Sequence, residues 1–249
     1  MRSTLVAGAF LGIAYMSSLA AQQLIPGRPG IEDFTGRIIL FVIDDLNLDF
    51  RDTPRIRTLV KKMGGQLVRD GDLFAVVSTG SSSIDLDLTS DLTHMDDAVN
   101  RITGQGLRPQ DMIQPSAFSE IVRRAHVTSR MMLEQLQRLD GTQNHPKAVV
   151  LISNGWDLDR RADADVANEL NDVAQLSTRT NATFYTVDPR GLGAGGQRAG
   201  QVDPNEWAPH LRVEQDNMRT LAERTGGVAI VNADDYNRTI ERINAMSNH

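Results

Sequence analysis

The chain of 249 residues contains no cysteine. Disulfides and thiolate metal sites are therefore excluded, whatever the compartment. Positive charge is in short supply too: 26 Lys and Arg stand against 32 Asp and Glu, a formal net charge of −6. No Lys/Arg cluster offsets that balance, so a nucleic-acid footprint is not expected. The five histidines, His94, His126, His145, His210 and His249, are scattered without metal-ligand spacing. No Gly-x-Ser-x-Gly surrounds the serines at 78–83. No nucleophile, base and orienter fall together, so the sequence is read as non-enzymatic.

What the chain has begins with an export signal. Arg2 gives a positive start, Leu5 to Met16 is apolar, and Ser18-Leu19-Ala20 is a small-x-small cleavage site before Ala21. The apolar run is shorter than the ~20 residues of a membrane span. Residues 1–20 are thus expected to be a signal peptide, leaving a periplasmic or extracellular protein with no stable span. Residues 21–36, with Pro26, Gly27, Pro29 and Gly30, read as a linker, and 37–249 as one domain.

Within that domain, Ile38 to Ile43 is an uninterrupted apolar run, as expected of a strand buried on both faces. Similar runs recur at 73–79, 147–153, 182–187 and 228–231, and 83–88 alternates like an edge strand. Helical spacing is read at 54–69, after the Thr89-Ser90-Asp91 cap, through 118–139, around 166–176, at 217–224 and at 234–246. Gly64-Gly65 suggests close packing on the sheet. No regular element is read over 104–117, and 188–201 is a glycine-rich mobile loop. The pattern predicts an α/β, doubly wound, mostly parallel six-stranded sheet with helices on both faces.

The first strand ends in Asp44-Asp45-Leu46-Asn47-Leu48-Asp49. Carboxyl ends of parallel strands are where open α/β sheets bind ligands. Asp45, Asn47 and Asp49 alternate with leucines, and oxygen ligands of this kind suit a hard cation. A second polar break, Asn154-Gly155-Trp156-Asp157, ends the strand at 147–153.

The succession "GDLFAVVST", "LTSDLTHMDDAVNRI", "KAVVLISNGWD", "FYTVDPRGL" and "LAERTGGVAIV" resembles a von Willebrand factor A domain, in its exported bacterial VWFA-related form. The resemblance covers residues 37–245. It implies a protein-binding or adhesion-type module with a metal-ion-dependent adhesion site. That site takes an Asp-x-Ser-x-Ser motif, a threonine from a later loop and an aspartate after the fourth strand. Here the motif is expected at Asp45, Asn47 and Asp49, because the register starting at Asp44 puts leucine at two ligand positions. Thr128 supplies the threonine, and Asn154 stands where the family has a carboxylate. The implied site is degenerate, holding Mg²⁺ (or Ca²⁺ or Mn²⁺) weakly. The other reading of the same residues is a cluster that only caps loops. Asp44, Trp156 and Asp157 are expected along the edge that meets a protein partner. The alternative function is a cofactor-dependent enzyme using the glycine-rich 188–200 loop.

Overall fold

The computed structural model describes residues 34–142, 145–158, 164–191, 202–233 and 235–247. Residues 1–20, expected to be an export signal, most of the expected linker and most of the 188–200 loop lie outside the described residues. Among those described, six strands form one sheet: β1 (Ile38–Ile43), β2 (Leu73–Ser78), β3 (Asp85–Thr89), β4 (Lys147–Ile152), β5 (Ala182–Val187) and β6 (Ala229–Ile230). Their order is β3-β2-β1-β4-β5-β6, with β3 alone antiparallel to its neighbour. The helices are α1 (Thr53–Leu67), α2 (Thr93–Arg101), α3 (Pro109–Met112), α4 (Phe118–Arg138), α5 (Ala164–Arg179), α6 (Pro204–Arg224) and α7 (Tyr236–Met246). This is the doubly wound α/β sheet expected from the sequence. Strand order reverses between β1 and β4, the switch point at which such sheets open a crevice.

Strand periodicity sorts the core into two halves. Ile39, Phe41 and Ile43 of β1 pack with α1, α2 and α7, through residues such as Leu59, Met95 and Ile240. Ile38, Leu40 and Val42 pack with α4, α5 and α6, through Leu136, Val173 and Leu221. Because both faces are covered, all six residues of β1 are buried, each contributing roughly 1.5–3 kcal/mol relative to exposure.

Several local expectations needed correction. Leu86 and Leu88 of β3 reach opposite cores, although residues two apart normally share a face. A register irregularity opposite Phe74 and Val76 turns the strand between them. Its aspartates, Asp85 and Asp87, are exposed and guard the sheet edge. Gly64 packs against α2 rather than the sheet, since a Cβ there would lie 2.8 Å from the Met95 methyl. Residues 109–112 and 115–117 form short helical turns, each opened by a proline. Finally, α6 starts at Pro204, not near 217: Asp203 caps it by accepting from the Asn205 N–H, and the helix continues past Pro209.

Candidate functional site

The site follows from strand parity. Ile43 pairs with Ser78 of β2 and with Ile152 of β4, so the next residues, Asp44, Thr79 and Ser153, stand level with one another. All three continue the parity of residues that face α4–α6, including Val42, Val77 and Leu151. The Asp44 N–H still donates to the Ile152 carbonyl, which holds the ladder one residue beyond β1. Thr128 lies on the buried stripe of α4, among Ile121, Ala125 and Met132, and reaches the same point.

Asp44 is fully buried, and four side chains donate to its carboxylate. Ser153 Oγ lies at 2.6 Å, Thr79 Oγ1 and Thr128 Oγ1 at 2.9 Å each, and Asn47 Nδ2 at 2.9 and 3.1 Å from its two oxygens. Asn47 arrives because the chain turns back, with the Asn47 and Leu48 N–H groups donating to the Asp44 carbonyl. Burial raises the Asp44 carboxyl above its ordinary range, opposed by the bonds from Ser153, Asn47, Thr128 and Thr79.

Asp45 has the opposite parity, yet it touches that cluster through Thr79, whose Oγ1 lies 3.1 Å from the Asp45 Oδ1. Its carboxylate accepts from the backbone N–H of Gly80 at 2.5 Å and of Ser82 at 2.8 Å, clamping the β2–β3 turn. Asp49 caps the turn at 50–52 and binds Arg51, whose Nη2 is 2.5 Å away. Of the five expected metal ligands, the structure brings Asn47 and Thr128 together around Asp44. Asp49 is engaged elsewhere, and Asp45 meets the cluster only through Thr79. Asn154 sits on the neighbouring turn, where its carbonyl accepts from Arg190 at 2.7 Å. The polar groups converging on Asp44 are thus four neutral side chains, one of which, Thr79, is shared with Asp45. That set does not fit a resident divalent cation, which favours several oxygen ligands and enough negative charge. Among the described residues no group of three or more His, Asp or Glu is arranged to hold a metal.

The turn after β4 is shaped by two contacts. Ser153 Oγ accepts from the Gly155 N–H at 2.9 Å. Gly155 has φ +87°, and a Cβ there would lie 2.5 Å from the Glu214 carbonyl, so only glycine fits. The chain then turns Trp156 into the core, 2% exposed, rather than toward a partner. Asp157 meets Nδ1 of His210, which stacks on Trp207. Behind this turn lies a buried cluster that is only half legible in the sequence. Arg190 binds Asp188 at 2.9 Å and Glu214 at 2.6 Å. Asp188 and Arg190 belong to the DPRGL run, but Glu214 lies in the part of α6 that two prolines concealed. Burial pushes the Glu214 carboxyl up to about 7, with Arg190 opposing.

These loops line a narrow crevice, open to solvent, at the carboxyl edge. Asn47, Asp49 and Asp157 from the expected edge line it, and Leu107, Met112 and Ile121 give it an apolar side. Asn154 also lines it. That residue is 7% exposed, and its Oδ1 is buried without a hydrogen-bond partner.

Fold and site together define a doubly wound α/β domain with a hydroxyl-ringed aspartate buried beside its switch-point crevice. No family model matches the sequence, and no curated protein matches it. Among solved structures, the fold is similar to that of a pilus adhesin, SpaC from Lactobacillus rhamnosus GG, in an open conformation. The TM-score is 0.52 at 12% identity, over 86% of this chain and 30% of that one. The chain therefore spans less than a third of that adhesin's length, and at this identity the likeness concerns the fold alone. No helix among the described residues is long and apolar enough to cross a membrane.

Proposed function

We propose that the chain is an exported, non-enzymatic binding module, von Willebrand factor A-like, that engages a protein partner in the carboxyl-edge crevice. The observation that carries the reading is the crevice itself. It opens at the switch point, where doubly wound sheets take their ligands, and it combines an apolar side with an unpartnered buried amide. An adhesion-type role is in keeping with the pilus adhesin of similar fold.

In this reading the Asp44 cluster is a degenerate adhesion site that works as a clamp. One buried carboxylate ties together the turn at 44–48, the end of β2, α4 and the turn after β4. Partner binding is then metal-independent. The test is capture from an exported fraction of the native source, with the wild-type chain and with Met112→Arg, each with Mg²⁺ and with chelator. The wild type should retain the same protein under both conditions, and Met112→Arg should lose it. Retention that chelator abolishes, or that Met112→Arg leaves intact, would count against the proposal. Saturable binding of a nicotinamide or flavin nucleotide with turnover would favour the enzyme alternative instead.

A further inference from the structure

The chemical group that the crevice takes follows from which of its polar groups already have partners. Its carboxylates do: Asp49 binds Arg51, Asp157 binds His210, and Glu214 binds Arg190. Asp52 is also partnered. Its guanidiniums are similarly engaged. Arg124 pairs with Glu120 and donates to the carbonyls of Leu46 and Gln105, and Arg190 holds Asp188 and Glu214. Asn154 is the exception. Its side chain makes no hydrogen bond among the described residues, and its Oδ1 is buried.

A primary amide offers an acceptor and a two-hydrogen donor side by side. The group that satisfies both at once is another amide, and the pairing holds whichever way the Asn154 oxygen and nitrogen are assigned. A free carboxylate would satisfy only the donor and leave the Asn154 oxygen without one. A cation would find the crevice's carboxylates already paired. Beside Asn154, the side chains of Leu107, Met112 and Ile121 offer apolar contact. We propose that the crevice recognises an amide of a partner polypeptide, paired reciprocally with Asn154, next to an apolar side chain packed on Met112. The proposal rests on the reading that a protein enters this crevice.

The test titrates the isotopically labelled full chain with three capped dipeptides, N-acetyl-Leu-Gln, N-acetyl-Leu-Leu and N-acetyl-Leu-Glu methylamides, reading the Asn154 side-chain amide by NMR. Asn154→Ala assigns that signal by its disappearance. The Gln probe should shift it with a Kd of about 1 mM, the range for a fragment of this size. Asn154→Ala and the shape-preserving Asn154→Asp should each weaken that binding at least about fivefold, read on the Met112 methyl. A response to Gln alone identifies a side-chain amide, and an equal response to Leu identifies the main chain. The inference is overturned if the Glu probe binds as tightly as Gln while the Leu probe does not, if both variants bind Gln like wild type, or if no probe shifts Asn154. Silent probes together with a protein captured through the crevice would remove the amide inference alone. Silent probes with no captured protein would remove the binding reading as well.

Discussion

The two ends of the sheet carry the same device, a buried charge, and use it differently. At the amino end, Arg37 donates to Asp72 at 2.8 Å, to the Leu67 carbonyl at 2.8 Å and to Ser247 Oγ at 2.6 Å. Beside it, Lys147 is 2% exposed and donates to the carbonyls of Thr142, His145 and Thr180 at 2.7–2.9 Å. These contacts fasten strand starts to helix ends. At the carboxyl end, Asp44 gathers four donors in the same inward fashion, yet a crevice opens next to it and the Asn154 amide has no partner. Buried polar groups are normally satisfied, because leaving one unmade costs free energy that folding does not recover. Trp156 Nε1 and, near the amino end, Asn244 Oδ1 are also buried without a bond, but of the three only Asn154 lines the carboxyl-edge crevice. The comparison separates a polar cluster that stabilises the fold from a polar group that faces a crevice.

Substitutions should break or sharpen that contrast, and the largest effect is expected at Asp44. Asp44→Ala leaves the Ser153 and Thr128 hydroxyls and the Asn47 amide without their acceptor, Thr79 keeping Asp45, and should remove about 3–5 kcal/mol of stability in urea unfolding. A loss below about 1 kcal/mol would show that the clamp holds nothing. At the other end, Lys147→Met takes the donor from three carbonyls and should cost about 2 kcal/mol in the same measurement, without touching partner capture.

A pH effect of intermediate size belongs to Glu214. Its folded value of about 7 lies above its ordinary 4.5, so the folded chain keeps a proton that the unfolded chain has lost. That contribution is fully present below pH 4.5 and disappears as pH rises through 7. It amounts to about 1–3 kcal/mol. Asp44, also raised by burial, acts in the same direction. Glu120, held down at about 2 by Arg123, acts oppositely and loses its contribution only as pH falls below 4.5. Thermal melts should therefore show stability declining from about pH 5 to pH 7.5, and Glu214→Gln should flatten that decline. An unchanged slope in the variant would assign it to other groups.

The smallest effect is expected at Asn154. Since Oδ1 is unpartnered, Asn154→Ala should change stability by less than about 1 kcal/mol, while Asn47→Ala, which removes a donor to Asp44, should cost about 1–2 kcal/mol. A larger loss at Asn154 than at Asn47 would place the amide among the structural groups.

The sheet was legible because β1, β2 and β4 carry continuous apolar runs of five or six residues and β5 is rich in β-branched and aromatic ones, as buried parallel strands require. The loops of the site were legible for the same reason, being the polar breaks at the ends of those runs. The register within the first loop was not. Two adjacent aspartates follow β1, and choosing the one that spaced oxygens evenly favoured Asp45 and Asp49. Parity carried the stronger signal: Asp44 continues the face of Leu40 and Val42, on which α4 and Thr128 lie. Glu214 and the first half of α6 were hidden by Pro204 and Pro209, which resemble breakers when no cap is recognised at Asp203. The partnerless state of Asn154 depends on every neighbour's geometry and leaves no trace in sequence.

The central claim, that the carboxyl edge meets a protein while the amino edge only holds the fold, is tested most directly by site-specific photocrosslinking. A photoreactive residue would replace Met112 in the crevice or the exposed Gln66, whose carbonyl accepts from Asn244 near the amino end. In the native exported fraction, the probe at Met112 should yield one protein adduct, unchanged by chelator, and the probe at Gln66 should yield none. Equal adducts at both positions, an adduct only at Gln66, or none at Met112 would contradict the account.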